Sequence, residues 1–152
     1  MLFRSDSLST SVPGIFACGN VLHVHDLADF VTLEAEAAGK AAARFIAAGD
    51  EPHRSTVNGQ GLKIIDGEGV RGVTPQFVGA QNFTPDSASD ESIVFSFRPT
   101  GVYRNATLIA ELDGVEVFRK KALIFTPGEM QRIKIRRKLF SEGKQLKLKI
   151  VV

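Results

Sequence analysis

The side chains best suited to chemistry fall close together near the start of this chain. A short apolar run from Ile15 ends at Cys18, Gly19 and Asn20 follow it, and His23-Val24-His25-Asp26 comes directly after. A run that stops at a glycine and an amide delivers one polar side chain and a bare backbone to its tip. Open α/β sheets hold their ligands at such tips. Two histidines two residues apart can share a metal on a strand, yet no further His or Cys cluster completes a ligand set. The remaining candidates are Cys18 and His53 alone. The plainer alternative is a loop in which Asp26 caps a helix and the histidines are its polar neighbours. Cys18 lacks the partner that a Cys-x-x-Cys redox pair requires, so it reads as a structural thiol. No catalytic residue and no metal ligand are therefore assigned.

The elements that must position these groups are a strand and a helix. Pro13-Gly14 is a turn signal, and residues 14–19 after it are expected as a short buried strand. Residues 26–48 read as one helix, capped by Asp26, with Asp29 near its positive end and Gly49 closing it. Leu27, Phe30, Val31, Ala38, Ala41, Ala42 and Phe45 recur at helical spacing, while Glu34, Glu36, Lys40 and Arg44 take much of the remaining circumference. The alanines and Gly39 leave one side thin enough for a sheet or another backbone to approach.

The segment Thr10-Ser-Val-Pro-Gly-Ile-Phe-Ala-Cys-Gly-Asn-Val21, with the helix behind it, resembles the second FAD-contacting motif of pyridine-nucleotide-disulfide oxidoreductases of the thioredoxin-reductase type. The resemblance covers about residues 6–48. It implies that Gly19, Asn20 and Val21 approach the ribityl chain of FAD. It also implies that the backbone at Phe30 and Val31 faces the flavin pyrimidine edge, and that NAD(P) is the electron source of the intact enzyme. A histidine beside the flavin would then be placed to donate a proton. Asn20 stands where that family usually has Asp; its carbonyl accepts the same hydrogen bond, uncharged and more weakly.

No G-x-G-x-x-G opens a strand–turn–helix unit in this sequence. Gly59-Gln60-Gly61 and Gly67-Glu68-Gly69 have the wrong followers, so the pyrophosphate cradle is missing. Residues 1–55 are accordingly expected to be the C-terminal remnant of an FAD-binding α/β domain, inactive and free of cofactor alone. Their partner would be the rest of the flavoenzyme chain. A homodimer through residues 15–46 is the other way to cover the apolar side of the helix.

Residues 49–61 read as a linker, after which the periodicity changes to alternation. Strands are expected at 62–66, 72–78, 92–98, 104–112, 115–124, 130–136 and 145–151, separated by turn residues. Asp113-Gly114 between two alternating runs is the strongest hairpin signal. Residues 56–152 are thus expected as an antiparallel β-sandwich, giving an α+β chain overall. An immunoglobulin-like order stays open, although the chain has no Trp and only one Cys, so the Cys…Trp…Cys signature is absent. This half is similar to the C-terminal extension of a subgroup of these flavoproteins. A second reading makes it an interaction module that docks a partner subunit, with the N-terminal segment as an accessory arm.

Composition sets the outer bounds. The chain of 152 residues is 43% hydrophobic and 24% charged, with a net charge of +2, so no whole-chain attraction to nucleic acid or membrane is expected. Residues 113–152 hold eleven Lys and Arg against four Asp and Glu, but these alternate with apolar residues as on a solvated sheet face. No run approaches the roughly 20 apolar residues of a membrane span. With no secretory h-region and a single cysteine, the expected compartment is the cytoplasm.

Overall fold

Alternation in the second half becomes two sheets that share one core. A computed structural model describes residues 5–47, 61–79, 92–140 and 144–152. Among them the chain is α+β, with one α-helix and eight strands in two largely antiparallel sheets. The strands are β1 (Gly61–Asp66), β2 (Val70–Thr74), β3 (Phe77–Gly79), β4 (Ser92–Pro99), β5 (Tyr103–Leu112), β6 (Val115–Phe125), β7 (Gln131–Arg136) and β8 (Gln145–Val151). One sheet has the order β3-β1-β8-β5-β6 and the other β2-β4-β7, with β1 and β8 as the parallel pair.

The inward set is the one the period-two pattern marks. Ile93, Phe95 and Phe97 of β4, Ile133 and Ile135 of β7, and Leu146, Leu148 and Ile150 of β8 are all buried in one cluster. Phe95 lies edge-on to Phe140 of the 3-10 turn Arg137–Phe140, ring centroids 6.0 Å apart, so that turn closes over the core. The hairpin forms at Asp113-Gly114, where φ is +48° and +89° and Leu112 pairs with Val115. Two consecutive positive φ values are what a type I′ turn demands. Asp113 also ties the far strand in: its carboxylate accepts the backbone N–H groups of Lys144 and Gln145, each at 3.0 Å.

One expected strand is corrected. Residues 72–78 do not run as a unit; the chain breaks at the cis Thr74–Pro75 bond, sending β2 to the small sheet and β3 to the large one. Proline has no N–H for a ladder, so a strand through it is cut there. The carboxylate of Asp66 accepts the N–H groups of Gly72 (2.7 Å) and Val73 (3.1 Å), which holds β2 against the end of β1. The expected linker lies outside the described residues except for Gly61, which opens β1.

The helix α1 runs Ala28–Ala47, and Gly49, its expected terminator, lies outside the described residues. Near its start, Phe30 meets Arg132 of β7 in the small sheet.

Candidate functional site

The N-terminal arm, residues 5–47, is built on itself before it touches the sheets. Residues 5–17 turn back on themselves: Thr10 donates to Ile15 O at 2.9 Å and Ala17 to Leu8 O at 2.9 Å. Phe16 then packs edge-on to Phe45 of α1, centroids 5.9 Å apart. Leu8, Leu22 and Ala38 close a small second core against which Ala17 and Cys18 pack, so the thiol is a partly buried packing group.

The buried strand expected at 14–19 is corrected here. Ile15 is 51% exposed, and the segment makes a single bridge, from Phe16 to Ser9. Gly19–Val21 is a turn of 3-10 helix. A strand needs neighbours for its backbone groups, and among the described residues the one that bridges it is the segment just before it.

Asp26 does different work from the capping expected of it. One carboxylate oxygen accepts the Met130 N–H at 2.7 Å, and the other takes the Arg98 guanidinium in a short ion pair. Arg98 further donates to Val24 O at 2.9 Å and to Gly128 O at 2.8 Å. Arg132 lies 4.1 Å from the centre of the Phe30 ring, a cation–π contact. The Met130 N–H, and behind it Arg98, hold the Asp26 carboxyl below its ordinary value of 3.8, against some desolvation. A carboxyl with a depressed folded value adds stability that is present above the unfolded value and lost as pH falls through the folded one. The Met130 amide resonance should therefore titrate with a midpoint below 3.8, followed by nuclear magnetic resonance. That step should vanish in Asp26→Asn; a midpoint above the ordinary value would contradict the pairing.

Behind this contact, the two histidines converge on one carboxylate. His25 Nε2 is 3.0 Å from Glu34 Oε2, and His23 Nε2 is 3.5 Å from Glu34 Oε1. The rings cross edge-to-face with centroids 4.4 Å apart. The Gly19 N–H donates to Glu34 Oε2 at 2.6 Å, so the carboxylate is steadied from a third side. The group is enclosed: the side chains of His23, His25 and Glu34 are 14%, 5% and 15% exposed. His23 also lines a cavity of about 240 Å³ between arm and small sheet, with Arg71, Phe97, Arg98 and Met130.

The five residues expected at a flavin are gathered around this cluster in part. Gly19 is buried and bonded to Glu34, and Val31 packs beside it: a Cβ on Gly19 would lie 3.5 Å from Val31 Cγ1. Asn20 accepts the His25 N–H through Oδ1 at 3.4 Å. Val21 is exposed, and Phe30 faces Arg132 instead of Gly19.

No family model, curated protein or solved structure matches this chain. Function must be argued from the residues.

Glu34, Arg98 and Arg132 are the participants that sequence reasoning did not single out. For Glu34 a signal existed. It stands four residues after Phe30 and four before Ala38, within the apolar stripe and not on the outer circumference. An acid on the covered side of a helix needs a partner, and the histidines supply it. For the arginines no local signal exists, since their partners lie on a distant segment.

Proposed function

We propose that this chain is the C-terminal part of an FAD-dependent, NAD(P)-linked oxidoreductase of the pyridine-nucleotide-disulfide type. Residues 1–55 are the tail of its FAD-binding domain and residues 56–152 a β-sandwich. The observation that carries the reading is the covering of α1. Only Ala38 of its twenty residues is buried, while Leu33 and Ile46 are 58% and 77% exposed, as is Leu27 just before it at 56%. A helix with thin alanine positions and uncovered apolar ones is an element whose sheet lies elsewhere. That agrees with the motif from Thr10 to Val21, which in the resembling family ends a sheet strand at the flavin.

Gly19, Asn20 and Val21 then contribute to the ribityl side of the flavin site, and the backbone of Phe30 and Val31 to its pyrimidine edge. The electron source is NAD(P), the cover is the rest of the flavoenzyme chain, and the compartment is the cytoplasm. Without that cover, a second copy docking through residues 15–46 is the alternative occupant. Among the described residues no helix is long and apolar enough to cross a membrane.

Coexpression with the missing N-terminal portion tests the reading. The purified complex should be yellow with a flavin spectrum, and the isolated chain should bind no FAD in a calorimetric titration. Asn20→Ala should weaken FAD by roughly three- to tenfold, the loss of about one hydrogen bond. A colourless complex, or tight FAD binding by the isolated chain, would overturn it. Capture of a partner subunit by residues 56–152 without any flavin would favour the interaction-module reading.

A further inference from the structure

We propose that His23, His25 and Glu34 form a binding site for one divalent transition-metal ion of the zinc type. The inference does not depend on the flavin reading. Two imidazole nitrogens and one carboxylate, with all three ligand atoms within 4.8 Å of one another, meet at a single point in the fold. Zinc binds imidazole nitrogen and carboxylate oxygen at about 2.0–2.2 Å, so two ligands of a tetrahedral ion stand about 3.3 Å apart. His25 Nε2 is 3.0 Å from Glu34 Oε2 and His23 Nε2 is 3.5 Å from Glu34 Oε1, close to that edge length though to the two different oxygens of the one carboxylate.

The chemistry of the donors selects the class of ion. Imidazole suits zinc, cobalt, nickel and copper, while calcium and magnesium prefer sites made of oxygen alone. Two histidines and a glutamate leave a fourth position for water, the ligand count of catalytic rather than structural zinc. The elements fix two of the three ligands independently. Glu34 stands on the second turn of α1 and is braced by the Gly19 N–H. His25 precedes the helix, its own N–H bonded to Asn20 Oδ1. Bracing of this kind around a ligand is what tunes affinity in metal sites.

His25 Nδ1 is buried and meets no hydrogen-bond partner among the described residues. A partner at that nitrogen typically contributes about 10–100-fold in affinity, so binding weaker by about that factor than at a fully braced site is expected.

Titration of the purified 152-residue chain with cobalt(II) at neutral pH tests the proposal, followed by competition with zinc(II). The expected result is one equivalent of cobalt with visible absorption bands of a four- or five-coordinate ion, displaced by zinc. His25→Ala and Glu34→Gln should each weaken binding at least about tenfold. Glu36→Gln, an exposed residue of the same helix paired with Lys40, should leave it unchanged. All three substituted positions lie outside the sheets, so the β-type circular dichroism should persist and report that each variant is folded. His23→Ala is the further check should Glu34→Gln disturb the helix. Absence of saturable cobalt binding, or binding that His25→Ala and Glu34→Gln leave intact, would overturn the site. Neither result depends on whether flavin is recovered.

Discussion

Replacing Phe95 with alanine should cost the two-sheet half about 3–5 kcal/mol, the usual range for truncating a fully enclosed phenylalanine. Phe95 has no exposed surface, sits at the middle of β4 and meets Phe140 edge-on at 6.0 Å. Its neighbours are held by ladders on both sides, from β2 and from β7, so the sheets have little freedom to collapse into the space left behind. Domains of this size are stable by only about 5–15 kcal/mol in all, so the change consumes a large part of that margin. In urea the midpoint should fall sharply while the slope of the transition stays the same. A loss below about 1 kcal/mol would mean that the core is looser than this packing implies.

Arg98→Ala should release the N-terminal arm while sparing the sheets. This one guanidinium bonds Val24 O, Asp26 and Gly128 O, so it joins the start of α1 to the β6–β7 turn. Hydrogen bonds to charged groups contribute about 1.5–3 kcal/mol each when enclosed, and less at a partly exposed site such as this one. Their loss should raise the rate of limited proteolysis within residues 20–47 by at least about tenfold. The sheets keep their own core, because every member of the main buried cluster lies between Leu62 and Ile150. The thermal transition of Arg98→Ala should therefore stay cooperative and lie close to that of a chain lacking residues 1–55. The arm also meets the sheet edge through the Ser5–Phe77 bridge, Asp6 N–H to Phe77 O and Arg137 to Asp6. Loss of the β-type circular dichroism in the shortened chain would show instead that the arm belongs to the core.

Much of the second half was legible because strand periodicity is a property of neighbours in the chain. Ile93-Val-Phe95-Ser-Phe97 writes its inward face in alternate residues, and that face is buried as written. Asp113-Gly114 specifies a hairpin by backbone sterics alone, since both positions must adopt positive φ. The helix was legible for the same reason, down to the stripe of Phe30, Val31, Ala38 and Phe45, although its first turn begins at Ala28.

What only the tertiary structure decided are pairings between residues far apart. Asp26 reads as a helix cap because capping is local, yet its oxygens are claimed by Arg98 and Met130, 72 and 104 residues onward. The run from Gly72 to Val78 reads as one strand because alternation carries no record of which sheet each residue joins. The split at Pro75 appears once both sheets compete for its two ends. His23 and His25 lack a third ligand in the sequence because Glu34 joins them through the turn at Gly19–Val21 and the path of α1. Side-chain types and short-range periods set what each segment can become. Which distant partner satisfies a buried charge depends on the assembled chain, because charge attraction and hydrogen bonding act through space and leave no period behind.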